Sequence, residues 1–214
     1  MPRVLVFGAT RGVGLETVRA LLAGGATEVA AFARAASAPK LAALGPGVRL
    51  LQGDVRDAAA VAAALAPGYD ALVISLGGAG IWGADDTCSV GTANILQALR
   101  ASGARPKLVV CSSMGVRESA AAIPAFVRWM LKHPLADKCI QEAAVEASGL
   151  PYCIVRPTGL SDAPAKGLAA VAAVTAGPTP TSRIARADVA AFLIAQAAPE
   201  TAQDHKVVGI SWRL

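Results

Sequence analysis

The sequence predicts an α/β fold built on a single parallel, doubly wound sheet. Three observations carry that prediction. A glycine-punctuated turn follows the first apolar run and opens a helix. Short runs rich in Val and Ala then alternate with stretches of helical period. Several of those runs, finally, exit into Gly, Ser or Asp. No internal repeat and no linker divides the 214 residues, so one domain over 1–214 is expected.

The first element sets the theme. Val4 to Phe7 reads as a short buried strand, and Gly8, Gly12 and Gly14 punctuate the turn after it. Val13, Val18, Leu21 and Leu22 carry the helical period beyond. Strand, glycine turn and helix in that order make a phosphate site. Gly8 permits the tight turn, Gly12 lets backbone approach a pyrophosphate, and Gly14 lets the helix pack against the sheet. Exposed N–H groups and the positive end of the helix dipole then hold the anion.

The second strand, Glu28 to Arg34, ends where a dinucleotide fold meets the adenosine ribose. A carboxylate there would bind the 2′-hydroxyl and favour NAD. Arg34 stands there instead, and Arg11 adds a second guanidinium from the glycine turn, so NADP(H) is the expected cofactor.

The third strand begins at Val48 and exits at Gly53-Asp54-Val55. Asp54 either accepts from the adenine amino group, with Val55 covering the ring, or caps the helix from Ala58 to Leu65. Tyr69 to Leu76 is the fourth strand, leaving into the glycine-rich loop that starts at Gly77.

A helix from about Thr87 to Ser102 is bounded by Asp85-Asp86 and Gly103, and Lys107 to Cys111 delivers Ser112 and Ser113 to the sheet edge. A short apolar helix around Phe126 to Leu131 precedes a longer one from Leu135 to Ser148. Pro151 to Arg156 is the sixth strand. Leu168 to Thr175 reads equally as strand or helix, and a loop at Gly177-Pro-Thr-Pro180 follows. Asp188 caps a helix reaching Ala197, and Lys206 to Trp212 is the last strand. Residues 114–134 and 158–186 are expected to line the substrate pocket, the second stretch within a small C-terminal covering section.

Composition narrows the class. Hydrophobic residues make up 54% of the chain but aromatics only 4%, so Ala and Val build the core and helices pack closely on the sheet. No apolar run approaches the roughly 18 residues of a membrane span, and no basic-then-apolar leader precedes the first strand. A soluble, cytoplasmic protein is expected. Cys88, Cys111, Cys139 and Cys153 are scattered, with only His133 and His205 beside them, which argues against a disulfide framework or a metal site. The formal charge of +5 comes from dispersed residues without interleaved aromatics. It suits a small anionic ligand better than nucleic acid. No membrane partner is expected, and nothing marks an exposed seam, so a monomer acting on a small-molecule substrate is the expectation.

Taken together, Gly8-Ala-Thr-Arg-Gly-Val-Gly14, Gly53-Asp-Val55, Val90-Gly-Thr-Ala-Asn94, Val110-Cys-Ser-Ser113 and Ser148-Gly-Leu-Pro-Tyr-Cys-Ile-Val-Arg-Pro157 resemble the atypical short-chain dehydrogenase/reductases. The group in question is the NmrA-like and biliverdin reductase B (flavin reductase) branch, and the similarity covers nearly the whole chain. The resemblance implies a Rossmann-type sheet in the order 3-2-1-4-5-6-7 with NADP across it. It places Gly8, Thr10, Arg11, Gly12, Val13 and Gly14 around the pyrophosphate and ribose, and Arg34 on the 2′-phosphate. Asp54 and Val55 fall at the adenine, and Leu76 and Gly77 at the bridge towards the nicotinamide. Cys111, Ser112, Ser113 and Pro157 fall beside the nicotinamide.

Two departures from the family pattern bear on chemistry. Arg11 stands where atypical members usually carry glycine; NADP-using members of the main short-chain group often have a basic residue there. More consequential is Pro134. Typical members use serine, tyrosine and lysine, with Tyr-x-x-x-Lys on the helix after strand five. Ser113 and Lys138 match the serine and lysine, but Pro134 occupies the tyrosine position and cannot move a proton. His133 is the nearest ionisable neighbour. Reducing a ketone needs a proton donor as alkoxide develops; a conjugated acceptor delocalises the added charge instead. The expectation is therefore an NADPH-dependent reductase of a flavin, quinone or tetrapyrrole, with Ser113, Lys138 and His133 as catalytic candidates. Trp82, Phe126, Trp129 and Met130 stack on a flat ligand or serve as core. A non-catalytic NADP(H)-binding regulator of the NmrA-like kind is the alternative.

Overall fold

The computed structural model describes residues 2–26, 28–77, 80, 83, 85–167, 170–173 and 183–212. Trp82 and the Gly177-Pro-Thr-Pro180 loop lie outside them.

In chain order the elements are β1 (Val4–Phe7), α1 (Gly12–Ala23), β2 (Val29–Ala33), α2 (Ala38–Ala42), β3 (Val48–Gln52), α3 (Ala58–Leu65), β4 (Ala71–Ile74) and α4 (Thr87–Ser102). They continue with β5 (Lys107–Cys111), α5 (Ala125–Met130), α6 (Lys132–Glu146), β6 (Tyr152–Pro157), β7 (Leu160–Ser161) and β8 (Ala170–Ala173). The last three are β9 (Ile184–Ala185), α7 (Arg186–Gln196) and β10 (Lys206–Ser211). Short 3-10 turns at Ala35–Ser37 and Arg117–Ala122 and the helix α2 are additions to the sequence-based outline.

Seven strands form a parallel sheet in the order β3-β2-β1-β4-β5-β6-β10, as expected from the resemblance. The ambiguous stretch resolves as strand: β8 adds to β10 antiparallel, so the main sheet is not wholly parallel. A separate parallel pair, β7 with β9, stands beyond it.

Two-residue alternation splits the sheet between two apolar layers. Val4, Val6, Val73, Val109 and Val155 pack on one face with Val13, Val18 and Leu21 of α1 and Val189 and Leu193 of α7. Leu5, Phe7, Leu72, Ile74, Leu108, Val110 and Ile154 pack on the other with Val61 of α3, Ile95 and Leu99 of α4 and Val145 of α6. Strands buried on both faces must read as continuous apolar runs, which is why β1, β4 and β5 were legible.

Helix starts differ from expectation in instructive ways. Asp57, not Asp54, caps α3, accepting from the amides of Ala59 and Ala60. At α4, Asp85 accepts from Thr87, but the amides of Cys88 and Ser89 go to Asp137, 49 and 48 residues away on α6. Helix α6 begins at Lys132 and runs through Pro134, whose missing N–H falls in the first turn where no intrahelical bond is made. Helix α7 begins two residues before Asp188. That carboxylate instead accepts from the amides of Lys166 and Gly167 and from the Trp212 indole.

Candidate cofactor and active site

A cavity of about 1080 Å³ opens along the carboxyl ends of β1 to β6, where the strand order reverses between β1 and β4. Its floor begins at the glycine turn. Gly8 adopts a φ of 79°, and a Cβ there would stand 2.2 Å from the Ser75 carbonyl oxygen. A Cβ at Gly14 would meet the Gly8 carbonyl oxygen at 2.2 Å, so only glycine lets α1 start this close to the strand. Gly14 thus acts beneath the cavity, while Gly8, Thr10, Arg11, Gly12 and Val13 line it.

The end of β2 contributes Arg34, whose exposed guanidinium has no hydrogen bond or ion pair to the described residues. From the glycine turn, Arg11 donates through Nη2 to the Gly77 carbonyl at 3.2 Å. Asp54, Val55 and Arg56 follow from β3. Asp54 accepts from the Arg56 amide at 3.0 Å, and Arg56 reaches Asp86 at 2.6 Å and Asp85 at 3.1 Å. Asn94 of α4 fixes this exit by donating to the Val55 carbonyl at 2.8 Å. Leu76 and Gly77 continue the wall at the end of β4.

Cys111, Ser112, Ser113 and Pro157 line the far end, with Lys138 beside them. Lys138 Nζ donates to the carbonyls of Cys111 at 2.9 Å and Leu76 at 3.4 Å, tying together the ends of β5 and β4. Burial pushes the Cys111 thiol above its usual pKa, with the Lys138 charge acting against it. Ser113 Oγ donates to the Met114 carbonyl at 3.0 Å and keeps its acceptor lone pairs. Ser112 lines the wall, but its hydroxyl turns inward to Glu142.

Beneath Ser112 lies a buried ionic cluster that the sequence reading missed. Arg156 and Glu142 both have 0% exposed side chains and meet through two bonds, Nε–Oε1 at 2.9 Å and Nη2–Oε2 at 2.6 Å. Arg156 Nη1 continues to Glu118 Oε1 at 2.8 Å. Burial alone would raise the Glu118 carboxyl; hydrogen bonds from backbone and Arg156, with the charges of Arg156 and Arg117, outweigh it and hold the pKa below the ordinary value. The spacing Lys138 to Glu142, one helical turn, was the available signal that a carboxylate shares this face.

His133 is not brought to the cavity. Leu131 and Lys138 reach it from one side of this helical stretch, and at 100° per residue His133 projects elsewhere. Phe126 and Trp129 are 70% and 60% exposed and stack with ring centroids 6.2 Å apart, so neither is core. Val127 of the same helix faces the cavity with Ile123, Leu131 and Met114; Thr158, Gly159, Leu160, Asp162 and Arg186 close the remaining side. Arg186 is a further site residue that sequence reasoning passed over, because it stands at a helix start with no motif around it.

Fold and cavity define a Rossmann-type dinucleotide-binding protein. The family model described as NAD(P)H-binding matches residues 8–200, and the chain belongs to that family. ChuY, an anaerobillin reductase from Escherichia coli O157:H7, is similar at 27% identity, with 98% of this chain and 96% of that one covered and a TM-score of 0.81. A putative NAD-dependent epimerase/dehydratase from Bacillus halodurans is 25% identical over 99% and 94% of the two chains, with a TM-score of 0.79. A short-chain dehydrogenase/reductase from Veillonella parvula in complex with NADP shares the fold at 17% identity over 99% and 95%, with a TM-score of 0.77. The cofactor is thus NAD(P)H, and the findings support an NAD(P)H-dependent oxidoreductase. Among the described residues no helix is long and apolar enough to cross a membrane.

Proposed function

We propose that the chain is an NADPH-dependent reductase delivering hydride to a small conjugated electrophile of the flavin, quinone or tetrapyrrole type. The observation that carries this reading is the composition of the cavity's far end. Ser113 and Lys138 reach it, but Pro134 holds the place of the usual proton-donating tyrosine and His133 is not among the lining residues. Bound NADPH would supply the hydride. Lys138 fixes the strand ends that frame the acceptor and lends positive charge to it; Ser113 orients a polar group of the acceptor or of the carboxamide. An acceptor whose ring system spreads the added charge takes its proton from solvent afterwards, so this wall needs no acid.

Choice of the 2′-phosphorylated dinucleotide rests on Arg34 at the end of β2, whose fork has no partner among the described residues, and on Arg11 across from it. The cavity volume of about 1080 Å³ stands just above the usual range for a single ligand, which supports room for a second molecule beside a cofactor. A reductase among the neighbours at 27% identity supports the same reaction class.

The test is stopped-flow oxidation of NADPH with FMN, dichlorophenolindophenol, a quinone series and biliverdin, run beside simple ketones. Turnover is expected with at least one conjugated acceptor and not with the ketones. Tight NADP(H) binding without oxidation by any acceptor overturns the reading and favours a cofactor-sensing regulator.

A further inference from the structure

We propose that Arg186 is a third phosphate-holding guanidinium of the cofactor site, and that Asp162 is a resident anion it gives up when the dinucleotide binds. The inference rests on the NAD(P)H reading above and extends it to residues that no glycine motif marks.

Three observations place Arg186 at the pyrophosphate turn. It lines the same cavity as Gly8 to Val13. A Cβ at Gly12 would stand 3.8 Å from Arg186 Nε and 4.0 Å from its Cδ, so this side chain lies against the turn. Its position is also set rigidly: Arg186 is the first residue of α7, whose Val189 and Leu193 are fully buried in the layer that holds Val13 and Val18 of α1.

The present partner is built to be replaced. Arg186 Nη1 donates to Asp162 Oδ1 at 2.6 Å, yet the Asp162 side chain is 89% exposed and follows directly on the two-residue strand β7. Such an exposed pair contributes little. A pyrophosphate offers the same fork paired oxygens and more charge. The nearby acid Asp188 does not compete, since its oxygens serve Lys166, Gly167 and Trp212. A carboxylate left in the wall would repel the incoming anion, so exchange moves Asp162 outward. Cofactor binding thereby reaches the β7–β9 pair that closes one side of the cavity.

Equilibrium binding by calorimetry separates this role from others. Two ligands are compared: NADP⁺, and adenosine 2′-monophosphate, which carries the 2′-phosphate but no pyrophosphate. Arg186→Ala should weaken NADP⁺ about 10- to 100-fold, the loss of a charge-assisted contact, and leave adenosine 2′-monophosphate unchanged. Arg34→Ala should weaken both ligands. Arg186→Lys should fall between wild type and Arg186→Ala. Asp162→Asn should tighten NADP⁺ about two- to fivefold, in line with a small competing pair. Equal weakening of both ligands by Arg186→Ala, no weakening of either, or looser NADP⁺ binding by Asp162→Asn overturns the proposal. Wild type that fails to bind NADP⁺ at all refutes the cofactor reading instead. If Arg186→Ala does not fold, the lysine and Asp162→Asn variants carry the test alone.

Discussion

Replacing Glu142 by Ala should cost this protein several kcal/mol of stability. Glu142 accepts from Ser112 Oγ and from two guanidinium nitrogens of Arg156, and both side chains of the ion pair have 0% exposure. After the change Arg156 keeps Nη1 on Glu118, whose side chain is 42% exposed, and a longer contact of 3.4 Å to Ser119. Nε and Nη2 are left buried without acceptors. Removing one partner of a buried pair costs about 3–5 kcal/mol. For a chain of 214 residues that lowers Tm by roughly 6–20 °C, at 2–4 °C per kcal/mol. Glu118→Ala, which breaks only the exposed arm, should cost about 1 kcal/mol or less. The double change Glu142→Leu with Arg156→Met removes both charges and should recover most of the loss. Calorimetric and circular-dichroism melts of the four proteins decide the matter. A Glu142→Ala melt within about 2 °C of wild type would refute the reasoning that the buried pair carries this much stability.

Arg11→Ala with Arg34→Ala should abolish a preference of tenfold or more for NADPH over NADH, about 1.4 kcal/mol, measured as the ratio of kcat/KM; a preference that survives would place the 2′-phosphate elsewhere. Asp188 makes stability pH-dependent. Burial alone would raise its pKa, but the Lys166 and Gly167 amides, the Trp212 indole and the Lys166 charge outweigh it and hold the carboxyl below its usual value. A depressed folded pKa contributes stability above the unfolded value of about 3.9 and loses it as pH falls through the folded value. The stability gap between wild type and Asp188→Asn should thus be constant from about pH 5 to 8 and shrink below about pH 4 in urea titrations. A gap that instead grows on acidification would show the sign to be wrong.

The parallel strands were visible because a strand buried on both faces leaves a continuous apolar run, as in Val4–Phe7 and Ala71–Ile74. The glycine turn was visible because each glycine answers a local steric need, most clearly Gly8 against Ser75 and Gly14 against Gly8. What failed were partners distant in the chain. The α4 amides go to Asp137 rather than to a residue beside them, and Asp188 turns to Trp212 rather than to its own helix. Arg156 and Glu142 looked like ordinary charged residues until folding buried them together. His133 misled because proximity along the chain was read as proximity in the cavity, whereas helical rotation separates it from Lys138. Edge strand β8 was ambiguous because a short Ala- and Val-rich run suits either period.

The proposed reaction is hydride transfer from NADPH to a conjugated acceptor without a protein acid at the tyrosine position. Single-turnover reaction of cofactor deuterated at both C4 positions, with the acceptor product analysed by mass spectrometry, tests it most directly. The reduced acceptor should carry the deuterium, except where the receiving position exchanges with solvent, and the isotope effect should persist in His133→Ala with an unchanged rate. Product free of deuterium at a non-exchanging carbon, or a rate that collapses in His133→Ala, would contradict it.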